Sequence, residues 1–327
     1  MLPKQKVGCK GIPLVSILLL LLCTSQCIYG KGMKPKPFVK WAGGKGQLIE
    51  QLDALLPACF STTNVVYVEP FVGGGAILFH VLEKYPNISR AVVNDMNVDL
   101  MTCYRVIKHK PAELINELNG LQEEYYRRES EAMRRKMFLE KRDRYNAHGT
   151  KEVETAALFI FLNRTCFNGL YRVNSKGLYN VPFGKAVCPL ICDEETLRAD
   201  SAVLQKVEIL CGDYSQVTNV VAGKSFFYFD PPYRPLTKTA AFTAYSKGGF
   251  GDDEQERLAD FCRALDAKGD CWLLSNSDPH NVSPDDMFFE ELYKGFDIHR
   301  VSASRMINSK AEGRGKITEL AIRNYKE

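Results

Sequence analysis

A carboxylate, two prolines and a phenol stand together at Asp230-Pro231-Pro232-Tyr233, directly after Ser225-Phe-Phe-Tyr-Phe229. That apolar, aromatic run reads as a buried strand. Asp230 is therefore expected where a strand ends, the edge at which open α/β sheets bind ligands. The prolines exclude helix and stiffen an extended backbone; without N–H groups, Pro231 and Pro232 can only accept hydrogen bonds. A carboxylate, rigid carbonyls and an aromatic face suit a flat molecule bearing an amino group, such as a nucleobase drawn out of its stack. A strand that merely ends in a proline turn would look the same, so the other motifs decide.

Two glycine-rich stretches precede it. Phe38-Val-Lys-Trp-Ala-Gly-Gly-Lys45 leads into a helical pattern through Leu48, Ile49, Leu52, Leu55 and Leu56. It is not a phosphate-binding Walker loop, because Val39 occupies the first glycine position and no Ser or Thr follows Lys45. Val65–Glu69 reads as a strand and Pro70-Phe-Val-Gly-Gly-Gly75 as a turn into a helix starting near Ala76. A second strand, Ala91–Asp95, then places an acid 20 residues after Gly75. That separation fits a carboxylate accepting from ribose hydroxyls, in a dinucleotide or in S-adenosylmethionine. A helix cap is the plain alternative for Asp95.

These elements imply an α/β sheet, interrupted by a different kind of segment. Residues 100–150 read as amphipathic helices whose charges alternate in sign, usual for a solvated face. The stretch from Thr155 to Cys192 contains no Asp or Glu. Thr155–Leu162 reads as a buried helix, Asn163–Arg172 as a loop and Val173–Gly184 as a hairpin around Ser175-Lys-Gly177. Arg164, Arg172, Lys176 and Lys185 supply positive charge there; Phe167, Tyr171, Tyr179 and Phe183 supply flat surfaces. Basic, aromatic and acid-free suits a polyanion with stackable bases, unless the ribbon packs its aromatics inward. A Thr-, Lys- and Gly-rich loop follows Tyr233 through Gly251, long enough to order on substrate. Glu254–Leu265 reads as a helix and Cys271–Ser275 as a buried strand. Ile298–Arg305 and Ile317–Ile322 alternate like a pair of antiparallel edge strands.

The 327 residues, 45% hydrophobic and 25% charged, are ordinary for a globular protein. The net charge of +4 resides in Lys4, Lys6, Lys10 and Lys31; from Met33 onward bases and acids number 39 each. Any nucleic-acid surface must therefore be local. Lysines followed by the apolar run Ile12–Leu22 resemble a secretory signal. Yet the eight cysteines beyond it show neither a disulfide framework nor metal spacing. We expect reduced thiols, no metal, a functional chain starting at Met33 and a cytoplasmic location, with residues 1–32 an upstream extension.

Taken in order, the motifs resemble the D12 class of adenine-specific DNA methyltransferases, the family of the DNA adenine methylases. Lys40-Trp-Ala-Gly-Gly-Lys45 looks like its cofactor motif, Glu69-Pro-Phe-Val-Gly-Gly-Gly75 like its glycine loop and Asp230-Pro-Pro-Tyr233 like its catalytic motif. Asn163-Arg164, Asn168-Gly169 and Asn180-Val-Pro-Phe-Gly184 resemble its target-recognition region. Cofactor, recognition, then catalysis is the motif order of the α group.

The resemblance implies an α/β fold: a Rossmann-like S-adenosylmethionine-dependent methyltransferase core with a helical/β-hairpin target-recognition insertion. The core would be 33–105 and 201–327, the insertion 106–200. It implies S-adenosyl-L-methionine as methyl donor, with Trp41, Lys45, Glu69, Phe71, Gly73, Gly75, Asp95 and Asp230 on the cofactor side. Asp230, Pro231, Pro232 and Tyr233 would be catalytic. Arg164, Phe167, Asn168, Leu170, Arg172, Lys176, Pro182 and Lys185 would meet double-stranded DNA at GATC. Phe167 and Thr165 depart from the tyrosines expected there. A monomer is expected, with a restriction endonuclease of the same site as a further partner. An RNA or protein amide N-methyltransferase, or a non-catalytic DNA-binding protein on the same fold, remains the alternative.

Overall fold

The computed structural model describes residues 34–236, 249–304 and 316–326. The leader with its Met33 start, most of the loop after Tyr233 and the connection 305–315 lie outside the described residues.

Five short runs of apolar residues form parallel strands: β1 Val66–Glu69, β2 Ala91–Val93, β3 Val207–Ile209, β4 Ser225–Phe229 and β5 Cys271–Ser277. All five residues of β4 are buried, as expected where both faces of a parallel sheet are covered. Side chains alternate between the two faces. Tyr67, Phe226, Tyr228 and Leu273 join one apolar cluster; Val68, Phe227, Phe229, Trp272 and Leu274 join the other.

β6 Asp297–Ser304 and β7 Lys316–Arg323 complete a seven-stranded sheet in the order β3-β2-β1-β4-β5-β7-β6. They pair antiparallel as expected, but only β6 is an edge. β7 is inserted antiparallel between β5 and β6, where Leu320, Ala321 and Ile322 are fully buried. Strand order reverses between β1 and β4, so the switch point, the crevice where such sheets take ligands, lies between Glu69 and Asp230.

Around the sheet lie α1 Ile49–Asp53, α2 Ala76–Lys84, α3 Val98–His109, α4 Pro111–Tyr126, α5 Glu131–Asn146, α6 Glu152–Thr165, α7 Glu194–Leu204, α8 Asp252–Ala267 and α9 Phe288–Leu292. The expected helix across residues 48–56 shortens to α1, since Pro57 stops it one turn later. Polar caps fix three of the other starts: Asn97, Ser130 and Asp193 accept from the N–H groups of Leu100, Met133 and Thr196. Pro111 occupies the first turn of α4, where its missing N–H costs nothing. The expected segment borders at residues 105/106 and 200/201 fall inside α3 and α7.

α6 is the central helix of the inserted segment. Its residues 156–163 are all buried, as befits a helix apolar nearly all round. It runs to Thr165, so the loop expected from Asn163 begins three residues later, with a 3-10 turn at Phe167–Gly169. The expected hairpin reduces to a ribbon with isolated bridges, Val173 to Tyr179 and Cys166 to Phe183, around a turn closed by Gly177 N–H donating to Asn174 O. Residues Pro35–Glu327 form one compact unit, and the core that lines α6 also includes Tyr67 and Val93 of the sheet. No helix among the described residues is long and apolar enough to cross a membrane.

Because α6 belongs to that shared core, a cavity in it should weaken the whole unit. Phe161, fully buried, is the probe: Phe161→Ala is expected to cost about 3–5 kcal/mol. Urea unfolding followed by fluorescence should show one transition moved to lower denaturant. Two separate transitions would mean that the insertion folds alone.

Candidate active site

The switch-point crevice holds a cavity of about 550 Å³. β1 delivers Glu69 and the glycine loop Gly73–Gly75 to it; β4 delivers Asp230, Pro231, Pro232 and Tyr233. The segment before α1 adds Trp41 and Gly43–Lys45 from the opposite wall. Glycine is required where these walls meet: a Cβ on Gly73, at φ +48°, would stand 2.8 Å from Trp41 Cδ1. The indole in turn stacks on Phe159 and Tyr171 of the insertion, with centroids 6.3 and 5.6 Å away.

Lys45 is only 5% exposed and its ammonium is shared. Nζ lies 2.9 Å from Asp230 Oδ1 and 3.4 Å from Glu319 Oε2, and it donates to the Tyr233 hydroxyl. Tyr233 donates onward to Glu319 Oε2 at 2.5 Å. The ammonium also sits over the Tyr233 ring, 4.2 Å from its centroid. Burial pushes the Asp230 carboxyl up to about 6; Lys45 opposes the rise and Glu319 adds to it. Burial likewise pushes Glu69 well above the ordinary carboxylate range, although Tyr67 Oη donates to it at 2.9 Å.

A buried amide network fixes the backbone after Asp230. Gln255 Nε2 donates to Pro232 O (3.1 Å) and Asn276 Nδ2 donates to Gln255 Oε1 (3.0 Å). Asn276 Oδ1 accepts from Arg234 N–H (3.1 Å), and Ser277 Oγ donates to Arg234 O (2.9 Å). The Arg234 guanidinium then forks between Asp252 and Asp286, 4.1 Å above the Phe288 ring centre. Pro231 is left on the cavity wall.

The cavity therefore gathers Trp41, Lys45, Glu69, Gly73, Gly75 and all four residues from Asp230 to Tyr233. It leaves two expected cofactor residues outside its lining. Phe71 packs edge-on to Phe250 and against Tyr214. Asp95 accepts from the Gly73 and Asn97 N–H groups (3.0 and 2.9 Å), holding the glycine loop; burial raises its pKa against those bonds.

The inserted segment needs more correction. Arg164 is not a surface cation: it is half-buried, and Nη2 donates to Phe38 O at 2.7 Å, inside the protein. Burial lowers its pKa. Tyr171, Tyr179 and Phe183 turn inward against Trp41, Tyr145 and Phe138, because the ribbon has no other core to bury. Phe167, 51% exposed, remains outward, together with Asn168, Leu170 and Pro182. Arg172 is exposed and oriented, Nε donating to Asn180 Oδ1 at 2.8 Å. Lys176 lies exposed near the turn, and Lys185 makes an exposed ion pair with Glu131 at 3.2 Å, too weak to withhold it.

Sequence reasoning missed Glu319 and Gln255, and placed Asn163 in the recognition region without its structural role. Asn163, 4% exposed, bonds both the N–H and the C=O of Lys40 and the Gly169 carbonyl, each at 2.9 Å. One available signal was a lone acid in the alternating run Lys316–Arg323.

Comparison with known proteins agrees with this geometry. A family model described as D12 class N6 adenine-specific DNA methyltransferase matches residues 41–307. The type II methyltransferase M.MjaIII of Methanocaldococcus jannaschii is 48% identical, over 90% of this chain and 100% of that one. M1.LlaDCHI of Lactococcus lactis subsp. cremoris is 40% identical over 89% of this chain and 95% of its own. The DNA adenine methylase of Vibrio cholerae serotype O1 is 33% identical over 88% and 95%. Matches of that extent, on a chain whose glycine loop and Asp230 motif already share one cavity, decide its family: it belongs to the D12 class of N6 adenine-specific DNA methyltransferases.

Proposed function

We propose that the protein transfers a methyl group from S-adenosyl-L-methionine to the 6-amino group of an adenine extruded from double-stranded DNA, within GATC. The observation carrying this reading is that Asp230, Pro231 and Tyr233 share one cavity with the glycine loop of β1. The cavity is of ligand size, its glycine edge admits close approach, and its carboxylates and indole suit a cation. When bound, the cofactor would supply an electrophilic methyl group on a sulfonium sulfur, which leaves as a neutral thioether when the methyl–sulfur bond breaks. Trp41, Lys45, Glu69, Gly73 and Gly75 line its side; Phe71 backs the glycine loop. Asp95 keeps lone pairs for ribose hydroxyls beyond its two backbone bonds.

An adenine amino nitrogen is a poor nucleophile, because its lone pair is delocalised into the ring. Asp230 accepting one N–H, and the Pro231 carbonyl the other, draws the nitrogen toward tetrahedral geometry. The lone pair is then free to form the new N–C bond. Catalysis is mainly positioning and stabilisation of a developing cation. The proton released afterwards can pass to Asp230, whose raised pKa makes it a better acceptor. The Tyr233 ring stacks on the extruded base, worth roughly 1–3 kcal/mol, which offsets part of the unstacking cost.

The exposed tip of the insertion reads the site. Arg172 meets a guanine, Leu170 and Pro182 a thymine methyl, Phe167 wedges into the duplex beside Asn168, and Lys176 and Lys185 meet phosphates. The expected borders would cut through α3 and α7, so we bound the insertion where α3 ends and α7 begins, at about residues 110 and 193. We read the protein as a monomer acting on cytoplasmic DNA. The type II names of two relatives support a restriction endonuclease of the same site as partner; the neighbouring genes test this.

Asp230→Ala should abolish incorporation of labelled methyl into DNA while leaving the thermal melt near wild type; activity within tenfold would assign the amino group to other residues. The carboxylate must be ionised to accept, so below about pH 6 the single-turnover rate should fall about tenfold per pH unit, and above it stay level. An acid limb centred near pH 4 would contradict that role. Arg172→Ala should lose roughly 1–3 kcal/mol of discrimination at the guanine, read by mapping modified adenines in an expressing host. Unchanged site preference removes Arg172 from the reading, and modified adenines in another motif overturn GATC.

A further inference from the structure

Glu319 reaches the site because β7 runs against its neighbours. The parallel strands end at the catalytic edge, whereas β7 starts there, and Glu319 lies beside Ser277 at the end of β5. Its Oε2 accepts from Tyr233 Oη at 2.5 Å and lies 3.4 Å from Lys45 Nζ. Lys45 is closer to Asp230, at 2.9 Å.

This arrangement raises a problem for Asp230. Asp230 Oδ2 is left for a hydrogen of the adenine amino group, but a carboxylate neutralised by Lys45 at Oδ1 is a weaker acceptor than one that has loosened that hold. A buried ammonium losing its partner would be strongly disfavoured. The second carboxylate removes that penalty, because a shift of about half an ångström brings Lys45 to charge-assisted hydrogen-bond distance of Glu319. We propose that Glu319 is a positioning residue for methyl transfer: it receives the Lys45 ammonium as Asp230 turns to the adenine amino group, and it holds the Tyr233 ring by its hydroxyl. This rests on the role given to Asp230 above.

The groups facing Asp230 are Lys45 before α1, Tyr67 and Glu69 of β1, Tyr228 of β4, the adjoining Tyr233 and Glu319 of β7. Lys45 favours the charged form of Asp230 and Glu319 opposes it. Replacing Glu319 by a neutral isostere therefore leaves Asp230 as the one carboxylate in contact with Lys45 among the described residues. It slows the hand-over and moves the ionisation of Asp230 to lower pH.

The test is the single-turnover rate of the full chain with S-adenosylmethionine and a GATC duplex, from pH 5 to pH 9, together with DNA affinity and thermal melting. For Glu319→Gln we expect a plateau at least about tenfold lower, an acid midpoint below that of wild type and DNA affinity within about twofold. A rate and midpoint matching wild type overturn the proposal. So does a lowered rate with an unmoved midpoint, the mark of a purely structural role. Should Glu319→Gln not fold, Glu319→Asp serves: its shorter arm draws the charge away from Lys45 and Asp230, so the plateau and the midpoint should both fall, and an unchanged plateau or an unmoved midpoint overturns the proposal. A wild-type protein that methylates no adenine duplex sinks the underlying reading instead.

Discussion

An ammonium with 5% of its surface exposed is costly to bury without partners. Lys45 finds it in Asp230, Glu319 and the Tyr233 hydroxyl, contributed by the ends of β4 and β7 and the loop between them. That one charge ties three separate segments of the chain to a single point at the switch in strand order. The glycine loop can then pass under Trp41 because nothing larger than hydrogen fits there. The amide network behind Pro232 completes the arrangement by removing the freedom that the exit from Asp230 would otherwise have.

Much of this was legible from residue types and spacing. Four aromatics before Asp230, the glycine loop after β1 and the acid at the end of β2 each belong to a local pattern that a single sequence displays. The edge pair was legible only as a pair: alternation reveals that β6 and β7 are strands, but not that β7 inserts beside β5. Glu319 was hidden for that reason, since its place at the catalytic edge follows from strand direction rather than from its neighbours. Arg164 misled because composition counts a guanidinium as surface charge, whereas the Phe38 carbonyl takes it up internally. The inward turn of Tyr171, Tyr179 and Phe183 has a similar origin: a narrow ribbon buries whatever aromatics it has.

The insertion and the methyl-transfer site are mechanically joined. Asn163 clamps both backbone polar groups of Lys40 and the carbonyl of Gly169, so one side chain holds the cavity-lining segment before α1 and the turn carrying Phe167. The Trp41 ring adds an aromatic contact across the same junction. Displacement of the exposed tip therefore reaches the cavity wall through packed, hydrogen-bonded contacts rather than through a hinge. Changes of the tip side chains alone leave that clamp untouched.

Lys45 and Glu319 are 274 residues apart in the chain. Closing a loop of that length carries a large entropic cost before any contact returns it, and pairings so distant in sequence belong to the slow part of folding. A parallel core holding Lys45 and Asp230 lacks the second anion of the cluster until β7 pairs with β5. A chain arrested before that insertion would carry a folded Rossmann-type core and an incomplete charge balance. On the role proposed for Glu319, such a molecule would methylate DNA more slowly than the complete one, and activity would report complete folding.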